Sequence, residues 1–220
     1  MKPLKVIGIC LIAASPLVVS DSASAETFTP APTTSFDCAR TTATIEKLVC
    51  RDPQLLRMEK ELTRLYRLAL TDVHGVPPPD KVVTDQQFWA LARNQCASDA
   101  QPRACTVQRY AERAYQLRLG SAIVRTKDPD RLTEGPVTYR CTGLPAPLAV
   151  TFFNANPDVV YLRWANNGAT LNQAPSTMGL KYTAAGYSFW QTDGQALLQL
   201  PGGREMSCSA EPAGQPPPGT

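Results

Sequence analysis

Histidine is almost absent from this 220-residue chain: His74 is the only one. It sits in His74-Gly75-Val76 before Pro77, Pro78 and Pro79, a connector between helical patterns, whereas a catalytic imidazole must be held rigidly. Nucleophilic triads therefore find no base. No Cys-x-x-Cys pair and no phosphate-cradling glycine loop occur. Structural zinc sites use closely spaced ligand pairs, so neither a metal nor any other cofactor is expected. Paired carboxylates fare no better, since Glu59 and Glu61 fall on different faces of one helical pattern, and Asp128 and Asp130 fall in a charged connector. The composition argues against an enzyme.

An excess of charge of either sign is also missing. With Lys+Arg 22 and Asp+Glu 19 the formal net charge is +3. There is no basic block or aromatic-basic stripe, so a nucleic-acid partner is not expected, and a strongly cationic partner would not be steered to so neutral a surface. Long apolar runs are missing too. Lys2 and Lys5, the stretch from Val6 to Val19 and the small residues Ala23-Ser24-Ala25 read as a secretory signal over 1–25, too short and too soon interrupted for a membrane span. Cys10 follows Ile9, where a lipoprotein signal wants a small residue, so lipid anchoring is not expected. The localisation that follows is periplasmic or secreted.

What is present is cysteine. Beyond the signal stand Cys38, Cys50, Cys96, Cys105, Cys141 and Cys208, an even number in an exported chain, which reads as a disulfide framework. Cys141 and Cys208 bracket the C-terminal half. The other four allow three pairings, of which the local ones, Cys38–Cys50 and Cys96–Cys105, are favoured. A straight helix would hold Cys38 and Cys50 too far apart, so that pairing requires Ala39 to Thr42 to fold back.

The hydrophobic period changes once along the chain. After a Pro/Thr-rich leader (26–35), residues 36–125 read as a small helical domain. A short helix is expected over Thr41–Cys50. In the next, Leu55, Met58, Leu62, Leu65 and Ala69 form one stripe, behind Asp52 as N-cap and Pro53 in the first turn. A third runs from Asp80–Asp85 through Phe88, Trp89, Leu91 and Ala92 to Cys96. A fourth places Val107, Tyr110, Ala114, Leu117 and Ile123 on one face. So small a core calls for disulfide support. Residues 126–135 are the expected linker.

From 136 to 210 the period is that of strands: Val137, Tyr139 and Cys141 alternate, as do Ala149, Thr151 and Phe153, and Val159–Trp164 is a β-branched and aromatic run. Asn154 to Pro157, Asn166-Asn167-Gly168 and Asp193-Gly194 are turn signals. Short strands at this spacing predict a small barrel or sandwich. Phe189 and Trp190 are neighbours, so only one of them can face a core; Phe189 is the better core residue, and Trp164 reads as core or rim. Residues 211–220 read as a disordered tail. The fold class is α + β in two domains, a disulfide-linked helical domain followed by a small antiparallel β-barrel.

Asp37-Cys38, Glu46, Cys50, Leu55, Leu62 and Tyr66, followed by Gln86, Trp89, Arg93, Cys96, Cys105, Tyr110, Arg113 and Leu117, resemble the N-terminal domain of the LprI-like exported bacterial proteins. The resemblance covers roughly 36–119. The family's acidic position after the first helix is Glu59 here rather than Asp, and a second is Asn94, implying an altered surface ion pair. Arg93 and Arg113 read as bonding local carboxylates or helix-end carbonyls rather than a ligand.

Gly179, Tyr182, Tyr187, Phe189, Trp190 and Ala196 stand at the spacing of the membrane-bound or periplasmic inhibitors of c-type lysozyme (the MliC/PliC-like family), which this segment resembles. The resemblance implies an eight-stranded antiparallel barrel clasped by Cys141–Cys208. It also implies a c-type lysozyme as partner, bound at its active-site cleft by a Ser and a Lys that engage the two catalytic carboxylates. The Ser position is Met178 here and the Lys position is Thr192, followed by Asp193. Met178 has no donor, Thr192 has no charge, and Asp193 would repel carboxylates. Ser176, Thr177 and Lys181 are close enough in sequence to compensate, although Lys181 alternates away from Tyr182. The candidate lysozyme contacts are thus Ser176, Met178, Gly179, Lys181, Tyr182, Trp190, Thr192 and Asp193. The altered positions keep open a second expectation, a non-inhibitory envelope module binding peptidoglycan, a glycan or a periplasmic protein.

Overall fold

The computed structural model describes residues 34–126, 132–192 and 195–212. The expected signal and most of the leader and tail lie outside the described residues. Five helices come first: α1 (Thr44–Arg51), α2 (Pro53–Leu70), α3 (Pro79–Gln95), α4 (Pro102–Gly120) and α5 (Ala122–Thr126). Asp52 caps α2, its Oδ1 accepting from the backbone N–H groups of Gln54 (3.0 Å) and Leu55 (3.1 Å), with Pro53 in the first turn. The stripe Leu55, Met58, Leu62, Leu65 and Ala69 is buried throughout.

Disulfides join Cys38 to Cys50 and Cys96 to Cys105. The fold-back needed by the first is a turn in which the N–H groups of Arg40 and Thr41 both donate to the Asp37 carbonyl.

One helical face, that of α4, differs from the expected one. In α3 the buried residues are Val82, Trp89 and Arg93, whereas Phe88 and Leu91 are 66% and 63% exposed. At about 100° per residue, Phe88 and Leu91 are rotated well off the face that Trp89 fixes. α4 buries Val107, Tyr110, Ala114 and Leu117 but stops at Gly120, so Ile123 falls in α5 and Val124 takes the buried place. Ser121 turns extended (φ −136, ψ 124), and the Gly120 carbonyl accepts from the Val76 N–H at 2.8 Å; Gly120 permits that approach, since a Cβ there would lie 2.3 Å from the Val76 carbonyl oxygen.

The β-half is a closed antiparallel barrel in which each strand pairs with its neighbours in chain order. The strands are β1 (Thr133–Cys141), β2 (Leu148–Phe153), β3 (Val159–Trp164), β4 (Asn167–Ala174), β5 (Leu180–Ala184), β6 (Tyr187–Thr192), β7 (Gln195–Gln199) and β8 (Met206–Ala210). β1 and β8 close the cycle, with Cys141 opposite Cys208 and a disulfide between them. The turn expected at Asn166-Asn167-Gly168 falls one residue earlier, at Ala165-Asn166, with Ala165 at φ +43. Gly168 belongs to β4, where a Cβ would lie 2.4 Å from the Tyr161 hydroxyl. Its smallness serves that close approach.

β2 is buried on both faces. Leu148, Val150 and Phe152 fill the barrel with Val160, Leu162 and Trp164 from β3. Ala149, Phe153, Val159 and Tyr161 point outward and join the core of the helices. α4 lies across β1 to β4, and Tyr115 meets Tyr161 with ring centroids 5.3 Å apart. Polar contacts cross the same junction. Thr133 donates to Glu61 Oε1 (2.5 Å), Arg118 donates to Thr133 Oγ1 (2.9 Å) and the Gly135 carbonyl (2.6 Å), and Gln54 donates to the Pro157 carbonyl (2.6 Å).

Candidate partner-binding end of the barrel

β5 and β6 form a hairpin whose turn residues, Ala185 and Gly186, both have positive φ, the conformation that matches strand twist in two-residue turns. Its register pairs Leu180 with Gln191, Lys181 with Trp190 and Tyr182 with Phe189. Alternation then divides the side chains. Tyr182 and Phe189 are buried in the barrel core, where Phe189 packs edge-on to Tyr139 at 5.6 Å. Burial raises the Tyr182 phenol to about 12. Lys181 and Trp190 occupy the outer face, half-buried.

The segment before β5 is fastened to this outer face. The Trp190 indole Nε1 donates to the Met178 carbonyl (2.8 Å), and the Ser176 hydroxyl donates to the same oxygen (2.7 Å). The Met178 side chain is left 65% exposed. Gly179 makes the approach possible. It sits at φ +66, and a Cβ there would lie 2.2 Å from the Gln191 carbonyl oxygen and 2.8 Å from Thr192 Cγ2. Met178 and Thr192, separate in sequence, thus flank one point at the barrel's end. Asp193 lies outside the described residues.

Beside that point is a depression of about 410 Å³ lined by Pro175, Ser176, Thr177, Lys181 and Trp190. A second, of about 350 Å³, shares Pro175, Ser176 and Lys181 and adds Gly179 and Leu180. No ion pair engages Lys181 among the described residues. The site therefore combines an ammonium, a hydroxyl, an exposed thioether and an indole. The Trp190-to-Met178 bond was not anticipated from sequence; its only trace is a large aromatic at an outward position beside a glycine-led segment.

The charged groups of the helical region have a different use. The surface ion pair expected around Glu59 and Asn94 is a buried network instead. Glu59 is 1% exposed and accepts from the Tyr110 hydroxyl (2.8 Å), Thr63 Oγ1 (3.0 Å) and the Ser35 N–H (2.6 Å), with Arg93 NH1 at 3.7 Å. Arg93 also donates to Glu46 (3.1 Å) and Asn94 (3.0 Å) and lies over the Phe36 and Trp89 rings. Burial, reinforced by the Glu59 charge, pushes the Tyr110 phenol well above its usual range. His74 is exposed, its backbone N–H donating to Asp72 Oδ1. Among the described residues Arg113 bonds only neutral acceptors.

Residues 139–207, which run from β1 to β8 of this closed meander, match the family described as "Membrane-bound lysozyme-inhibitor of c-type lysozyme" (MliC). Over a longer span the chain is similar to Lipoprotein LprI of Mycobacterium bovis and of two strains of Mycobacterium tuberculosis. Each is 28% identical over 179 residues, covering 81% of this chain and 85% of the relative. The chain thus joins an LprI-like helical region to an MliC-like barrel. The relatives' name contains the word lipoprotein, which lends no support to the expectation of an unanchored protein; Cys10 lies outside the described residues.

Proposed function

We propose that this chain is an exported envelope inhibitor of c-type lysozyme, and that it meets the enzyme's cleft with the barrel end formed by 175–181 and 190–192. The observation that carries this reading is the convergence of Met178 and Thr192 beside Gly179. These are the positions from which the related inhibitors present a hydroxyl and an ammonium, and both groups are missing from them here. Ser176 and Lys181, which line one depression next to that point, supply the same two chemistries from neighbouring positions. Hydrogen bonds to charged groups contribute about 1.5–3 kcal/mol each, so a single such bond is worth roughly tenfold or more in affinity.

The test titrates purified residues 26–220 into a c-type lysozyme turning over cell wall. Inhibition by the wild-type chain, weakened roughly tenfold or more by Lys181→Ala, is the expected result. No inhibition by wild type, with inhibition gained by Met178→Ser/Thr192→Lys, would instead support the second reading. That reading, a non-inhibitory module for peptidoglycan, a glycan or a periplasmic protein, is favoured by the exposed Met178 at the hydroxyl position.

A further inference from the structure

A larger cavity, of about 570 Å³, lies between α3 and α4, away from the barrel. Its walls are chiefly apolar: Val82, Trp89 and Leu117 are buried in its floor, whereas Val76 and Phe88 stand at its rim 78% and 66% exposed. One end is closed by the contact of Val76 with Gly120, which leaves no room for a side chain. The volume lies in the range of small-molecule sites, roughly 300–1,000 Å³.

One wall carries a buried charge that makes no ion pair among the described residues, Asp85 acting on it only from beyond ion-pair distance. Arg113 is 4% exposed, and its guanidinium donates to Gln86 Oε1 (2.9 Å), Gln116 Oε1 (3.1 Å) and the Val82 carbonyl (3.2 Å), all neutral. The two acids lining the groove are already engaged, Asp85 by Lys81 and Glu112 by Arg109 at 3.6 Å. Buried charges are ordinarily paired. Arg93, in the same helical region, is paired with both Glu46 and Glu59. Burial lowers the Arg113 pKa, opposed by the more distant charge of Asp85. An anion in the groove would relieve that cost.

We propose that the α3–α4 groove binds an amphipathic molecule with a single carboxylate head, such as a fatty acid, with the head on Arg113 and the chain along Trp89, Val82 and Phe88. Apolar walls alone would select chain length. The guanidinium, bonded directly only to neutral acceptors among the described residues, selects the head, and its planar fork suits a carboxylate.

The test titrates the exported chain with decanoate below its micelle concentration, with decanol as the uncharged arm, following heat and tryptophan emission. One-site binding is expected, at least tenfold tighter for decanoate than for decanol, and weakened at least tenfold in Arg113→Met but less in Arg113→Lys. Equal affinity for the two heads, or an Arg113→Met chain that binds like wild type, would overturn the proposal. If Arg113→Met fails to fold, Phe88→Glu at the exposed rim decides instead. It should melt like wild type and bind decanoate at least tenfold more weakly, and unchanged affinity overturns the proposal equally.

Discussion

Gly179 and Thr192 meet across the end of the barrel, so closely that a single added carbon on Gly179 would lie 2.8 Å from Thr192 Cγ2. The contact brings the Met178 carbonyl to the N–H edge of the Trp190 indole and fixes where the exposed Met178 side chain projects. Position and conformation are thus both required of residue 179.

Gly179→Ala should therefore disturb this end while leaving the barrel closed. A non-glycine residue at positive φ costs about 1–3 kcal/mol, and here the new Cβ also meets the Gln191 carbonyl oxygen. A lower urea midpoint, a shift in tryptophan emission and an unchanged far-UV spectrum are expected. An undisturbed emission spectrum would show that the segment does not need glycine.

The buried network of the helices predicts unequal effects at its members. Tyr110→Phe removes one donor from Glu59, which retains Thr63, Ser35 and Arg93, so the loss should be about 1–2 kcal/mol. Arg93→Met strips Glu46 and Glu59 of their shared cation, and breaking a buried pair costs about 3–5 kcal/mol. Urea denaturation of the two variants should rank them in that order.

Cys141 and Cys208 close a loop with a sequence separation of 67. In the chain-entropy picture such a link is worth about 4 kcal/mol against unfolding. Cys141→Ser/Cys208→Ser should melt markedly lower than wild type, as scanning calorimetry would register; a melting point within a degree or two would mean the strands close the barrel unaided.

Asp72 gives a pH dependence. The Ser121 hydroxyl, bonded at 2.6 Å, holds its carboxyl below the usual range, aided by the Ile123 and His74 N–H groups. A folded pKa beneath the unfolded value of about 3.9 stabilises the protein above that value, and the gain is lost as pH falls through the folded pKa. Asp72→Asn should be less stable than wild type at pH 7, and the gap should narrow below about pH 4. Urea midpoints at three pH values would check this.

The helices and the barrel share apolar surface, so separating them has a cost. Residues 132–212 alone would expose Ala149, Phe153, Val159 and Tyr161, which the helices bury. This fragment should bind a hydrophobic dye and self-associate, in contrast to the whole chain, as dye fluorescence and light scattering would reveal.

Period and spacing made much of this legible. The α2 stripe, the Asp52 cap and the assignment of Phe189 rather than Trp190 to the core follow from rotation per residue and from strand alternation, which are local. What was hidden depends on partners distant in sequence. Alternation marks Ala149 and Phe153 as one face but cannot say that helices cover it. Glu59 reads as a surface acid until Arg93 and Tyr110 arrive from two other helices. Which of Phe88, Trp89 and Leu91 is buried could not be read because apolar character on α3 runs around the helix. At the candidate site, the two positions that break the related inhibitors' pattern were readable, whereas the joining of Lys181 to Ser176 and Trp190 in one depression required the register of β5 on β6.

In an eight-member cycle β6 lies four strands from β2 in either direction, and α4 lies over the arc from β1 to β4. The molecule therefore has a back and a front. Anything that holds it by its helices, whether a surface, a tag or an antibody, leaves Trp190 and Lys181 turned toward whatever arrives from outside.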